Sequence, residues 1–235
     1  MAKDDFGIES LAAYLHLDPA QVLRLAQRDK LPGRKVAGQW RFSRAEVHHW
    51  LEDRIGLSGE EELVEMEGVL RRASDAGAEE ISIAGLLPPE AIAVPLPART
   101  RGSVITSMAQ LAAKTTWLWD AAKMAEAVRA REDMAPTALE NGVALLHPRR
   151  PLASILAQPF LAFGRTATAI PFGAARGKLT DLFFLVLSVD DRGHLRTLAR
   201  LSRLIGDPSL VDELRAAPDA QAARQLIVER EKKLT

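Results

Sequence analysis

"TDLFFLVLSV", residues 180–189, contains the longest apolar run of the chain, and its reading decides the fold. LFFLVLSV is far shorter than the roughly 20 apolar residues a membrane-spanning helix needs. Apolar throughout, it reads as a central strand buried on both faces of a sheet. The C-terminal flank then turns helical: "GHLRTLARLSRLIGD" (193–207) and "PSLVDELRAA" (208–217), with Asp207-Pro208 marking the second start. On the N-terminal side, "FLAFGR" (160–165), "GVALLH" (142–147) and "AIAVPLP" (91–97) are strand candidates. Between the last two lie helical patterns, "RGSVITSMAQLAAKT" (101–115), with Val104, Ile105, Met108 and Leu111 inward, and "TWLWDAAKMAEAVRARED" (116–133). Such alternation predicts an α/β layered domain over residues 81–235.

The first 55 residues follow another pattern. "IESLAAYLHL" is a helix with Ile8, Leu11 and Leu15 on one face. Asp18-Pro19 starts a second helix that turns Val22, Leu25 and Ala26 inward and leaves Gln21, Arg24, Gln27 and Arg28 outside. "LPGRKVAGQWRF" (31–42) reads as a hairpin with Gly38 in the turn and Trp40 and Phe42 toward the core. Ser43 and Glu46 form a capping box for a third helix bearing Val47, Trp50 and Leu51. Two short helices and a hairpin describe a winged helix-turn-helix. Adjacent His48 and His49 point about 100° apart on a helix, a poor metal pair, and are expected at the surface.

Charge is segregated although its sum is zero over 235 residues. Residues 19–44 carry seven basic side chains against Asp29, whereas residues 52–80 hold ten acids against Arg54, Arg71 and Arg72. Different partners for the two parts follow from this asymmetry. Residues 56–80 read as an acidic helical linker; Ser58 and Glu61 make a capping box, and the stripe Leu63, Met66, Val69, Leu70 offers a homodimer contact through residues 58–72. The absence of cysteine excludes disulfides and thiolate metal sites, and the N-terminus has no secretory pattern, so a cytoplasmic protein without membrane insertion is expected.

Residues 8–53, above all "LPGRKVAGQWRFSRAEVHHWL", resemble the excisionase-like, MerR-related helix-turn-helix modules of bacterial regulators. The resemblance implies a second helix in the DNA major groove and a wing over the backbone. Arg24 or Arg28 would then read guanine and Gln21 or Gln27 adenine, while Lys35 and Arg41 neutralise phosphates.

Residues 81–234 resemble the enzyme IIA domains of the mannitol/fructose and nitrogen-regulatory branch of the bacterial phosphotransferase system. The segments "LLPPEAIAVPL", "RAREDMAPT", "ENGVALLHP", "IPFGAARGKLTDLFFLVL", "GHLRTLARLSRLI" and "ELRAAPDAQAARQLI" carry it by order and spacing. It implies an α/β/α layered domain with a mixed sheet, no cofactor, no metal, and a phosphorylated HPr-like phosphocarrier protein as partner. His147 takes the acceptor position, Arg131 the phosphoryl clamp and His194 a hydrogen-bond donor. Backbone N–H groups of Asn141 and Gly142 are further expected donors. An imidazole suits the task because its pKa of about 6.5 leaves much of it neutral and nucleophilic near pH 7. Leu146 and Pro148 replace the proline and glycine that usually flank the family's histidine, and Glu140 brings a carboxylate that would oppose an anion.

Together these features lead to the expectation of a DNA-binding regulator controlled by histidine phosphorylation. A phosphocarrier of sugar uptake and an unphosphorylated partner-binding regulator are the alternatives.

Overall fold

The computed structural model describes residues 5–15, 17–57, 64, 68 and 81–234. The chain separates into two units, 1–80 and 81–235. The dimer stripe Leu63, Met66, Val69 and Leu70 lies outside the described residues; within 58–72 only Val64 and Gly68 are among them.

In the first unit, α1 (Ile8–Leu15) and α2 (Pro19–Gln27) are followed by β2 (Arg34–Val36), β3 (Gln39–Ser43) and α3 (Arg44–Leu57). Asp18 caps α2 by accepting from Ala20 N at 2.7 Å, and Gln21 Oε1 accepts from Asp18 N at 3.1 Å. The wing closes at Val36↔Gln39 through Ala37 (φ 50°) and Gly38 (φ 80°). Both residues are left-handed, as a type I′ hairpin turn requires. A two-residue strand, β1 (Asp5–Phe6), pairs antiparallel with β3 and extends the wing to three strands in the order β1-β3-β2. Phe42 is fully buried, and a Cβ on Gly33 would lie 2.6 Å from its ring, so only glycine lets the chain pass there. Trp40 and Trp50 are half-buried. His48 departs from the surface expectation: it is buried and shares a 2.7 Å hydrogen bond with Tyr14 Oη. Its place one residue after Val47 puts it on the inner edge of α3, where the tyrosine satisfies it.

The second unit holds a four-stranded mixed sheet, β4 (Ile92–Leu96), β6 (Phe160–Pro171), β7 (Leu179–Leu187) and β5 (Val143–Leu146), in that spatial order. β4 runs parallel to β6, β6 antiparallel to β7, and β5 parallel to β7. β7 is an interior strand, as its unbroken apolar run requires. Its Phe183, Leu185 and Leu187 join one core with Val104, Ile105 and Met108 of α5 (Arg101–Ala113) and Met124 and Val128 of α6 (Ala121–Met134). Alternation sends Leu182, Phe184 and Val186 to the opposite face, where α7 (Asp191–Ile205) and α8 (Pro208–Ala216) pack on β7. A short α4 (Ile83–Leu86) opens the unit and α9 (Ala220–Glu231) closes it.

Two boundaries differ from the sequence reading. α6 starts at Ala121 rather than 116, because Thr116 is left-handed (φ 63°) and Asp120 caps the helix through Lys123 N at 2.8 Å. β6 runs six residues beyond Arg165, past a register shift between Arg165 and Ile170. No helix among the described residues is long and apolar enough to cross a membrane.

Candidate functional site

Parallel pairing of β5 and β7 is what assembles the site. With Leu146 opposite Leu185, the two strands end on the same side of the sheet. His147 follows β5 immediately, and β7 leads through Ser188 to Asp190, which caps α7. His194 lies in the first turn of that helix, where the helix dipole adds partial positive charge. The two imidazoles, 47 positions apart, stand with ring centroids 5.1 Å from one another and planes tilted 55°. His147 Nδ1 is 2.8 Å from the carbonyl oxygen of Leu145. A carbonyl only accepts, so Nδ1 carries a proton, and in the neutral ring Nε2 then keeps its lone pair. This is the tautomer a nucleophile acting through Nε2 needs.

α6 contributes the next groups. Its last turn carries Arg131 and Glu132, both buried. Arg131 Nη1 donates to Ala135 O at 2.8 Å and tightens the helix end. The chain then runs along β5: Leu145 N donates to Thr137 O, and Ala138 bridges Ala144. The end of α6 is thereby drawn toward the His147 end of the strand. Glu132 accepts from Thr137 N at 3.2 Å and from Thr137 Oγ1, and its carboxylate lies 3.8 Å from Arg101 Nη2. Burial raises the Glu132 carboxyl above its ordinary 4.5, an effect offset in part by the Thr137 hydrogen bonds, His147 and Arg101. Arg101 also donates to Asp133 at 3.0 Å, tying the start of α5 to the end of α6.

Asn141 and Gly142 are not brought to this site. They precede β5, whereas His147 follows it; five extended residues at about 3.3 Å each separate Gly142 from the histidine by roughly 16 Å. Their groups have structural work instead. Gly142 N donates to Leu139 O, Asn141 Nδ2 donates to Ile205 O at 3.0 Å, and Asn141 O accepts from Arg215 Nη2 at 2.5 Å. Gly142 has φ 83°, and a Cβ there would meet Arg215 Nη2 at 2.4 Å. Glu140 lies at this same distant end, exposed and 3.8 Å from Arg176 Nη1, so its carboxylate does not crowd His147.

In the first unit, Arg24 and Gln27 are exposed on α2, and Arg28 is exposed at its C-cap. Gln21 is exposed as well, but its side-chain oxygen is committed to the cap of its own helix. On the wing, Lys35 is exposed with its Nζ 5.4 Å from the Trp40 ring, and Arg41 Nη2 donates to Gln39 Oε1. Arg34 pairs with Asp5 at 3.0 Å and Arg44 lies over the Phe6 ring, so these two cations hold the fold.

Residues 85–230, more than half of the chain, match the family described as "Phosphoenolpyruvate-dependent sugar phosphotransferase system, EIIA 2". The chain belongs to this family. Residues 6–55 match a second description, "Helix-turn-helix domain". The EIIA 2 region is similar to the nitrogen regulatory protein of Bradyrhizobium diazoefficiens, at 38% identity over 144 residues, or 60% of this chain and 90% of the relative. The Pseudomonas aeruginosa nitrogen regulatory protein is 28% identical, with 63% of this chain and 96% of the relative covered. Among solved structures, the nitrogen regulatory protein IIA-Ntr of Neisseria meningitidis superposes with a TM-score of 0.56 at 26% identity, over 62% of this chain and 98% of its own. The mannitol IIA of Escherichia coli, at 17% identity and a TM-score of 0.53, shares the fold over 60% of this chain and 97% of its own.

Within the EIIA 2 domain, Glu132, whose charge acts on His147, and its hydrogen-bond partner Thr137 are residues that sequence reasoning passed over. A signal was present. Met124, Val128 and Glu132 recur every fourth residue, which places a carboxylate on the apolar stripe of α6. A charge on such a stripe needs a partner or a task.

Proposed function

We propose that this EIIA 2 protein is a DNA-binding regulator whose state is set by phosphorylation of His147. One observation carries the reading: at the shared end of β5 and β7, His147 Nδ1 is bound to the Leu145 carbonyl and the His194 ring is 5.1 Å away. Nε2 of His147 attacks the phosphorus of a phosphorylated HPr-like carrier; the phosphorus–carrier bond breaks and its electron pair stays with the carrier. A phosphorus–nitrogen bond forms at Nε2, and the positive charge gained by the ring is shared through Nδ1–H with Leu145 O. His194, the first turn of α7 and Arg131 supply donors and positive potential for the three phosphoryl oxygens.

DNA contact is assigned to Arg24 and Gln27 on α2 and Arg28 at its C-cap, with Lys35 and Arg41 at the wing as phosphate contacts. Exposure of the α2 side chains supports this. The phosphoryl group adds about 1.5 to 2 negative charges, enough to alter a basic interface. Incubation with phosphoenolpyruvate, enzyme I and the phosphocarrier protein is expected to add one acid-labile phosphoryl mass to the chain and none to His147→Ala. An unmodified wild type, with cognate carriers, refutes the acceptor assignment. Arg24→Ala with Arg28→Ala is expected to weaken DNA binding about 10- to 100-fold in a titration at fixed salt; unchanged affinity removes the DNA reading.

A further inference from the structure

We propose that Ser188 is a positioning residue that fixes His194 as a hydrogen-bond donor toward the phosphoryl group; this rests on the reading of His147 as acceptor. Ser188 directly follows β7 and is buried, with Oγ 3.2 Å from His194 Nδ1. Among the described residues, the hydroxyl has no other hydrogen-bond partner. Two arrangements are open to the pair. If Nδ1–H donated to Oγ, the serine O–H would remain buried without an acceptor, which is costly. If the serine O–H donates to Nδ1, the hydroxyl is satisfied and the neutral ring carries its proton on Nε2, where a phosphoryl oxygen can accept it. With the phosphoryl group in place, only this second arrangement leaves neither donor stranded.

The consequence is a pair of rings locked in opposite tautomers by groups outside the pair. The Leu145 carbonyl keeps the His147 proton on Nδ1 and leaves Nε2 bare. Ser188 does the reverse at His194, leaving Nε2–H to donate. A bare nitrogen at that place would face phosphoryl oxygens with a lone pair. Neither device is visible in the order of residues along the chain, since Ser188 lies six positions before His194 and across the cap of α7.

Nitrogen-15 NMR of the imidazoles in the full chain, at a pH where both rings are neutral, tests this directly. His194 is expected to show a pyridine-type Nδ1 and a pyrrole-type Nε2, with His147 showing the reverse. Ser188→Ala should turn His194 into a tautomer mixture, leave His147 unchanged and slow phosphorylation about 3- to 10-fold, the worth of one neutral hydrogen bond. A wild-type His194 protonated on Nδ1 overturns the inference, whatever the variant does. So does a Ser188→Ala chain with unaltered tautomer and rate. If the tautomers are as stated but no phosphoryl adduct forms on wild type, the acceptor reading fails and the hold of Ser188 on the ring stands.

Discussion

The two ends of β5 differ in kind although only four strand residues separate them. At the C-terminal end, buried imidazoles face one another with their proton positions set by Leu145 and Ser188. At the N-terminal end, Asn141, Gly142, Asp181 and Arg215 lock loop, strand and helix together, with Arg215 Nε 3.0 Å from Asp181 Oδ2. Read along the chain, "ENGVALLHP" looks like one continuous site. An extended strand separates its two halves by roughly 16 Å, so chemistry and construction occupy opposite ends.

The sharpest way to break this contrast is to substitute one residue at each end and follow phosphorylation. His194→Ala is expected to slow transfer to His147 about 100-fold, as loss of one positioned donor does in other sites. Glu140→Gln, at the far end, should leave the rate within about twofold. Equal losses would show that the glutamate reaches the acceptor after all.

The second test reverses the roles. Gly142→Ala forces a left-handed alanine, costing about 1–2 kcal/mol from conformation alone, and sets its Cβ against Arg215. A loss of at least about 2 kcal/mol in urea unfolding is expected, with the phosphorylation rate of the folded chain retained. A fully stable variant would mean that this end is not the structural lock.

A smaller effect distinguishes the charges near His147. Burial raises the Glu132 carboxyl above 4.5. As pH rises from 4.5 to the raised value, the unfolded chain releases a proton that the folded chain retains, so stability falls across that window and stays lower above it. Glu132→Gln lacks this ionisation. Its stability relative to wild type should therefore increase as pH rises from 4.5 toward neutrality; a pH-independent difference in unfolding free energy contradicts the assignment.

Much of the architecture was legible because it rests on local signals. Asp18-Pro19 and Asp207-Pro208 begin helices as their caps and prolines dictate, Gly38 lies in the wing turn, and the apolar run 182–187 fills an interior strand. What escaped was set by tertiary partners. β1 is two residues long and exists through its pairing with β3. His48 looked like a surface residue until Tyr14, 34 positions away, came within 2.7 Å. At the site, His147 and His194 were recognisable from the family-like frame, whereas Asn141 and Gly142 were drawn in by proximity along the chain. Glu132 showed as a charge on the apolar stripe of α6, but its partner Thr137, like Ser188, acquires meaning from hydrogen bonds that no spacing rule encodes.

The most direct test of the acceptor assignment is to locate the phosphoryl group on the ring. Phosphorus-31 and nitrogen-15 NMR of the chain phosphorylated by its carrier should show a phosphorus–nitrogen bond at Nε2 of His147, with the proton still on Nδ1 beside Leu145 O. Phosphorylation on Nδ1, or on another histidine, would contradict the geometry from which the function was inferred.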